Sequence, residues 1–318
     1  MSPLHLRKRL LAPGAVVLFL VAGAGLISRS HAGQMSFTPG KDNTLYGFDY
    51  SKYDPTKPST LPASDGSGIS FSAGWTGGQK TQVQRGLIQF DLSALPTSAV
   101  ITSVSLDLYV TSVPQRAYRD NLFWLVAITG LSQPWGEGGS NDTSTFPQPP
   151  DATWFHTQYD PSNPGTPASH VDAARKWKPF AAGAAGFWPE HEGYLGAGRL
   201  QGTEPFLSQA AAQSVGRSVG YVTWSNQQML ADVQQWASNP GANFGWIVVG
   251  EEWIQPVAEQ SDPSSKREFC SREDTHTIDS RSVVPTLTVA YTDVPEPAAW
   301  LLFLSGAVAV GGYLARRS

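Results

Sequence analysis

Val100-Ile101-Thr102-Ser103-Val104-Ser105-Leu106-Asp107-Leu108-Tyr109-Val110 decides the fold class. Val104, Leu106, Leu108 and Val110 occupy every second position, and Ser103, Ser105, Asp107 and Tyr109 fill the gaps. Successive side chains of a strand point to opposite faces, so this is a strand with one buried and one wet side. Arg85–Leu92 repeats the pattern, with Ile88, Phe90 and Leu92 on one face. Leu122–Ile128, Tyr221–Trp224, Phe244–Val249 and Leu287–Tyr291 are further strand candidates.

Between them lie stretches dense in Gly, Pro, Asn, Asp and Ser, such as Asp54–Gly68 and Gly136–Asp151, which read as turns and loops. One segment has helical spacing: Asn226–Ala237 places Met229, Val233, Trp236 and Ala237 on one stripe. Ser225 is positioned to cap its start, and Asn239-Pro240-Gly241 stops it. Many strands, Gly/Pro connections and one short helix predict an all-β fold, a large jelly-roll-like β-sandwich. Residues 33–293 read as one domain, with a long loop over Pro147–Gly220 absorbing the excess length and no internal repeat.

The two ends read as addresses. Arg7-Lys8-Arg9, the 14-residue apolar run Gly14–Ile27 and the small residues before Gly33 match a secretory signal peptide over residues 1–32, with cleavage between Ala32 and Gly33. An uncleaved anchor is the alternative. At the other end, Val294-Pro295-Glu296-Pro297 precedes Ala298–Leu314, 17 residues without a charge, and then Arg316-Arg317. A helix of that length spans about 25 Å, enough for a thin membrane, with the arginines held on the cytoplasmic side.

That order of parts resembles the PEP-CTERM sorting tail of Gram-negative bacteria, over residues 294–318. The resemblance implies handling by a membrane exosortase, cleavage near Pro295-Glu296-Pro297, and a cell that makes exopolysaccharide or biofilm; the absence of consecutive twin arginines at the N-terminus points to export by general secretion. It implies a precursor anchored in the inner membrane and a mature form at the cell surface or in the extracellular matrix.

A second resemblance runs through residues 33–293. Asp42-Asn43-Thr44-Leu45-Tyr46, Arg85-Gly86-Leu87-Ile88-Gln89-Phe90-Asp91-Leu92 and Ile101-Thr102-Ser103-Val104 are similar to the opening of DNRLRE-type domains. Trp135-Gly136-Glu137-Gly138, Asp151-Ala152-Thr153-Trp154, Asp232-Val233-Gln234-Gln235-Trp236, Asn239-Pro240-Gly241-Ala242-Asn243-Phe244-Gly245-Trp246 and Pro285-Thr286-Leu287-Thr288-Val289 continue the likeness. Lys266-Arg267-Glu268-Phe269-Cys270-Ser271-Arg272-Glu273 departs from it by an extra residue and by Cys270 where that family has Asp. The resemblance implies a β-sandwich akin to carbohydrate-binding modules, with no settled ligand.

Composition narrows the partner. The chain has 318 residues with 41% hydrophobic and only 15% charged, so it is neither a disordered polyelectrolyte nor, at a mean hydropathy of −0.22, a polytopic membrane protein. The formal charge of −4 averages over basic ends: residues 33–293 hold 16 basic and 25 acidic residues, a balance of −9. Nucleic acid is excluded as a partner, because phosphate binding needs clustered Lys and Arg. One cysteine, Cys270, allows neither a disulfide nor a multi-Cys zinc site, and it reads as a buried, inert thiol.

Motifs for catalysis are incomplete. Gly216-Arg217-Ser218-Val219-Gly220 matches Gly-x-Ser-x-Gly, with His276 downstream, but a strand follows the serine where the chemistry needs a helix. Gly74-Trp75-Thr76-Gly77-Gly78-Gln79-Lys80-Thr81 misses the second glycine of a phosphate loop. Glu190-His191-Glu192 has no second histidine at helical spacing, and His156, His170, His191 and His276 read as scattered, solvated loop residues. Glu137, Asp142, Asp151, Glu251 and Glu252 are the carboxylates from which a glycoside-cleaving pair would have to come. Glu137, Asn141 and Asp142 lie in an oxygen-rich loop that offers weak candidates for Ca²⁺, the one cofactor in view.

Aromatic residues carry the leading hypothesis. A flat indole stacks against the apolar face of a sugar ring, and Trp75, Trp135, Trp154, Trp177 and Trp188 lie in or beside Gly/Pro-rich loops. Trp224, Trp236 and Trp246 fall on strand or helix patterns and read as core. The expectation is a non-catalytic protein that binds or structures exopolysaccharide. The alternatives are a polysaccharide hydrolase or lyase with carboxylates in a groove, and a purely structural matrix protein.

Overall fold

The structure is a computed structural model that describes residues 31–47, 63–77, 83–115, 117, 119–129, 131, 134–141, 147–154, 156–161, 210–252 and 264–293. Its elements in chain order are β1 (His31–Phe37), β2 (Pro39–Tyr46), β3 (Ser70–Trp75), β4 (Val83–Phe90), β5 (Ala99–Ser112), β6 (Asn121–Ala127), β7 (Ala211–Val215), β8 (Gly220–Trp224), α1 (Gln227–Ser238), β9 (Trp246–Gly250), β10 (Arg267–Cys270), β11 (Thr277–Ile278), β12 (Arg281–Ser282) and β13 (Thr286–Asp293). Eleven strands form one antiparallel sheet in the order β1-β13-β5-β10-β3-β4-β9-β6-β7, with β2 added to β4 and β8 to β5. β11 and β12 make a separate hairpin.

The sheet turns a corner at β3. Phe71–Ala73 pair with β10, whereas Gly74 and Trp75 pair with β4. Gly74 sits at φ +103°, where a Cβ would lie 2.9 Å from Ser265 Oγ, so the bend needs glycine twice over. Folded at this corner, the inner faces of the two halves share one core. Val104, Leu106, Leu108, Trp224, Leu287 and Val289 come from one half; Ile88, Phe90, Leu125, Trp246 and Val248 come from the other. Phe269 joins them, with its ring 5.5 Å from Phe71, 5.8 Å from Phe123 and 6.1 Å from Trp224.

The alternation in β5 holds from Val104 to Val110, and Ile101 is buried as well, out of phase with Val104. A bulge reconciles them: Ser103 pairs with Ala290 and Ile101 with Tyr291, so Thr102 is the extra residue. β4 departs from the expected one-sided pattern, because Arg85 and Leu87 are as buried as Ile88 and Phe90. The reason is a second apolar cluster on its other side. There Leu45, Leu87, Trp124, Ile247 and Val249 are roofed by Trp135, Ala152, Trp154 and Phe244.

α1 buries Met229, Val233 and Trp236. It is docked on β5 by Gln234, which accepts from Ile101 N (2.8 Å) and donates to Ala99 O (3.3 Å). The cap is Asn226, whose side chain accepts from Met229 N at 3.0 Å, and not Ser225, whose hydroxyl donates to Val104 O. The expected uninterrupted loop over 147–220 contains β7, which pairs with β6. Ala32 and Gly33 lie inside β1, opposite Thr292 and Tyr291 of β13. Among the described residues no helix is long and apolar enough to cross a membrane. Residues 1–30 of the expected signal peptide, Ala298–Leu314, Pro295, Glu296, Pro297, Arg316 and Arg317 lie outside the described residues.

Candidate functional site

Four segments that lie far apart in sequence meet in one polar knot along the edge of β2. Asp42 accepts from Arg272 N at 2.8 Å, and its own amide donates to Glu137 Oε1 at 2.8 Å. Arg272 grips Glu137 with two bonds, Nε to Oε1 (2.8 Å) and Nη2 to Oε2 (2.7 Å). Asn43 donates to Glu137 O and accepts from Ser64 Oγ and Asp65 N. Asp151 closes the loop by accepting from Gly139 N (2.9 Å), Gln148 N (2.6 Å) and Ser140 Oγ. At Gly138, φ is +78° and a Cβ would lie 1.4 Å from Asp151 Oδ1.

Burial pushes the Asp42 carboxyl well above the usual range against the pull of the Arg272 amide, and burial likewise raises Glu137 against its Arg272 bonds. Lys41 donates to Trp135 O, lies 4.2 Å over the Trp135 ring, and is lowered to about 8 by burial with Glu137 opposing.

This knot corrects several expectations. Trp135 and Trp154 are buried roof residues, not exposed platforms: Trp135 Nε1 donates to Phe244 O, and the Arg85 guanidinium stacks 4.5 Å over Trp154. Trp75 is buried at the end of β3, where its carbonyl accepts from Ser264 and Ser265. The cause is the second face of the β4 half, which needs an aromatic cover. Trp177 and Trp188 lie outside the described residues. Trp224, Trp236 and Trp246 are core, as expected.

Both oxygens of Glu137 are engaged by Arg272; Asn141 is exposed, and Asp142 lies outside the described residues. Among the described residues no three His, Cys, Asp or Glu side chains gather as a metal would require.

The remaining candidate carboxylates hold the scaffold. Glu252 is wholly buried against Arg85, with Nε to Oε1 at 2.6 Å and Nη2 to Oε2 at 2.8 Å. Glu251 accepts from Arg119 Nη2 (2.6 Å) and Asn121 Nδ2 (2.8 Å). Sequence reasoning missed Arg267, a fully buried cation that donates to the carbonyls of Gly216, Ser265 and Lys266 and is lowered to about 10 by burial.

His156 is buried against Thr153 Oγ1 and Tyr159, contrary to its reading as a solvated loop residue. His276 is exposed and paired with Asp274, while His170, His191 and Glu190-His191-Glu192 lie outside the described residues. Ser218 sits in the turn between β7 and β8, a strand-to-strand link and not a nucleophile elbow. Cys270 is buried beside Asp274, and burial pushes its thiol up.

Among the described residues, two surfaces combine polar and apolar groups in a regular array or a groove. The first is the outer face of β1, β13, β5 and β8, where the residues that alternate with the core stand in register. Ser36, Thr288 and Ser105 form one row, and Thr286, Asp107 and Thr223 the next. Tyr109 opposite Tyr221 forms a third. Such rows stand about 4.8 Å apart between strands and roughly 6.8 Å apart along them. The Tyr109 and Tyr221 rings meet edge-to-face at 4.9 Å. Arg281, from the β11–β12 hairpin, lies 3.9 Å over the Tyr221 ring and donates to Asp107 Oδ2 at 2.7 Å. Thr223 Oγ1 donates to the other oxygen of Asp107, and Tyr221 OH to Ser282 O.

No family model and no curated protein matches this chain. Both resemblances therefore stand on the residues that carry them.

The second surface is a groove of about 470 Å³ between the end of β4, residues 91–97, and the end of α1. Phe90, Leu92, Leu95, Trp236, Ala237 and Pro240 contribute its apolar part; Lys41, Gln89, Asp91, Ser93, Thr97 and Asn243 contribute its polar part. Asn243 ties the walls together, accepting from Gln89 Nε2 through its carbonyl and donating to Phe90 O at 2.8 Å.

Proposed function

We propose that this chain is an exported surface or matrix protein, sorted by its C-terminal tail, whose jelly-roll β-sandwich binds polysaccharide without cleaving it. The outer face of β1, β13, β5 and β8 carries the reading. It is an array of hydroxyls, one carboxylate, one guanidinium and two tyrosines, set at strand spacings suited to successive units of a glycan and edged by Arg281 and Ser282 of the β11–β12 hairpin. Serine and threonine hydroxyls donate and accept, as sugar hydroxyls do, and a tyrosine offers an apolar ring with a polar tip. Placing the site on the sheet replaces the loop tryptophans Trp75, Trp135 and Trp154, which are buried.

The engagement of Glu137, Asp151, Glu251 and Glu252 by scaffold partners supports binding over turnover. In this reading exosortase, the secretion machinery and the inner membrane are transient partners, and the glycan is the lasting one.

The test is a pull-down of the purified protein with the producing cell's exopolysaccharide, paired with an assay for released reducing ends. Wild type is expected to bind and release nothing. Tyr109→Ala and Tyr221→Ala are each expected to weaken binding roughly 3- to 10-fold. Unchanged binding in both variants refutes the face, and released ends refute the non-catalytic reading. Sorting is tested separately: the intact mass of the surface protein should lack Ala298–Ser318.

A further inference from the structure

We infer that the groove between β4 and α1 is a second glycan site, a pocket for one neutral pyranose unit, which rests on the polysaccharide-binding reading and adds a ligand class to it. The groove is separate from the outer face, and no residue of the three rows described above lines it. Its volume of about 470 Å³ lies within the roughly 300–1,000 Å³ usual for small-ligand sites.

Its chemistry is two-sided. Pro240 and the half-buried Ala237 offer the apolar surface that the C–H face of a pyranose covers, with the nearly buried edges of Leu92 and Leu95 beneath. Asp91 stands on the polar side, exposed, with Oδ1 accepting from Ser93 N at 2.9 Å. A carboxylate presents two acceptor oxygens in one plane, which two hydroxyls on adjacent sugar carbons can bridge. Thr97 and Ser93 add exposed hydroxyls beside it. The one cation of the lining, Lys41, has its ammonium on Trp135 O and over the Trp135 ring, within the polar knot. The charge offered to a ligand is therefore the negative charge of Asp91, which rejects a uronate and accepts a neutral ring. The Asn243 bonds to Gln89 and Phe90 fix the walls before the ligand arrives, so little ordering opposes binding.

Two-dimensional amide NMR of the full chain tests this, with methyl glycosides of glucose, galactose and mannose as probes and methyl glucuronide as the charged control. At least one neutral glycoside should shift the amides of residues 89–93 and 237–243 and leave Tyr109 and Tyr221 in place. Asp91→Ala should weaken that binding by about tenfold or more. Ala237→Trp, which fills the groove from the helix surface, should abolish it. Absence of shifts at these residues with all three glycosides overturns the inference, as does equal binding of the glucuronide. Tyr109→Ala and Tyr221→Ala separate the two readings. If they abolish polysaccharide capture while glycoside shifts persist at the groove, both sites stand. If capture survives them but is lost in Ala237→Trp, the outer face fails and the groove stands.

Discussion

Arg85 and Glu252 are the most consequential pair to break. Both side chains are wholly buried, their two hydrogen bonds are 2.6 and 2.8 Å long, and the guanidinium also stacks on Trp154. Arg85→Met leaves a carboxylate without its cation inside the protein, and Glu252→Leu leaves the reverse. Breaking one partner of such a pair costs about 3–5 kcal/mol, because the surviving charge keeps its desolvation penalty. For a domain of this size that is a fall of roughly 6–20 °C in Tm.

Arg85→Met combined with Glu252→Leu removes both charges at once, and its stability should return to within about 1–2 kcal/mol of wild type. Urea unfolding followed by tryptophan fluorescence gives the three free energies and hence the coupling. A coupling near zero, or a single variant that loses less than about 1 kcal/mol, would refute the claim that the pair acts as one buried unit.

Other consequences are simpler to state. Gly138→Ala sets a Cβ against Asp151 at a positive φ, so it should cost about 2 kcal/mol or more and expose Trp135, seen as a red shift in its emission. Asp279 and Ser280 both have positive φ in the β11–β12 turn, so Ser280→Gly should slow hydrogen exchange in residues 277–282 by relieving about 1 kcal/mol of backbone strain.

Asp42 has a raised carboxyl in the folded state, so folding favours its protonated form. Stability from this group is full below the ordinary carboxylate pKa and declines as pH rises toward the folded value. Asp42→Asn should therefore melt higher than wild type at pH 7, with the gap closing near pH 4; a gap independent of pH would refute it. Cys270 should resist thiol reagents in the native protein and react at once in denaturant.

What was legible in the sequence is the part governed by local period. β5, β6, β8, β9 and β13 alternate or run apolar, and α1 repeats at helical spacing, so each was readable. β2 and β3 were not, because they carry Pro, Gly, Lys, Asp and Ser and are kept in the sheet by long-range pairing. β7, sequence Ala-Ala-Gln-Ser-Val, has almost no pattern of its own.

The tryptophans misled for a related reason. A loop position predicts exposure only when the sheet beneath has one buried face, and the β4 half has two. The only early signal was the apolar character of Leu87, Ile247 and Val249 on what would otherwise be a wet side. The polar knot gave none, since Asp42, Glu137, Asp151 and Arg272 are drawn together by tertiary contacts alone.

The pairing of β1 with β13 has a mechanical consequence. His31 lies opposite Asp293, so the first and last described residues are neighbours. Traction applied at Asp293 runs along β13, which β5 holds by eight registered partners from Ala99 to Asp107. A glycan bound at the proposed tyrosine row would pull from the far end of β5, so the two strands would be loaded lengthwise and their rungs would resist together. Traction between residues 31 and 293 would instead part β1 from β13 one rung at a time. Force between Asp293 and the tyrosine row would therefore meet the domain in its stronger direction.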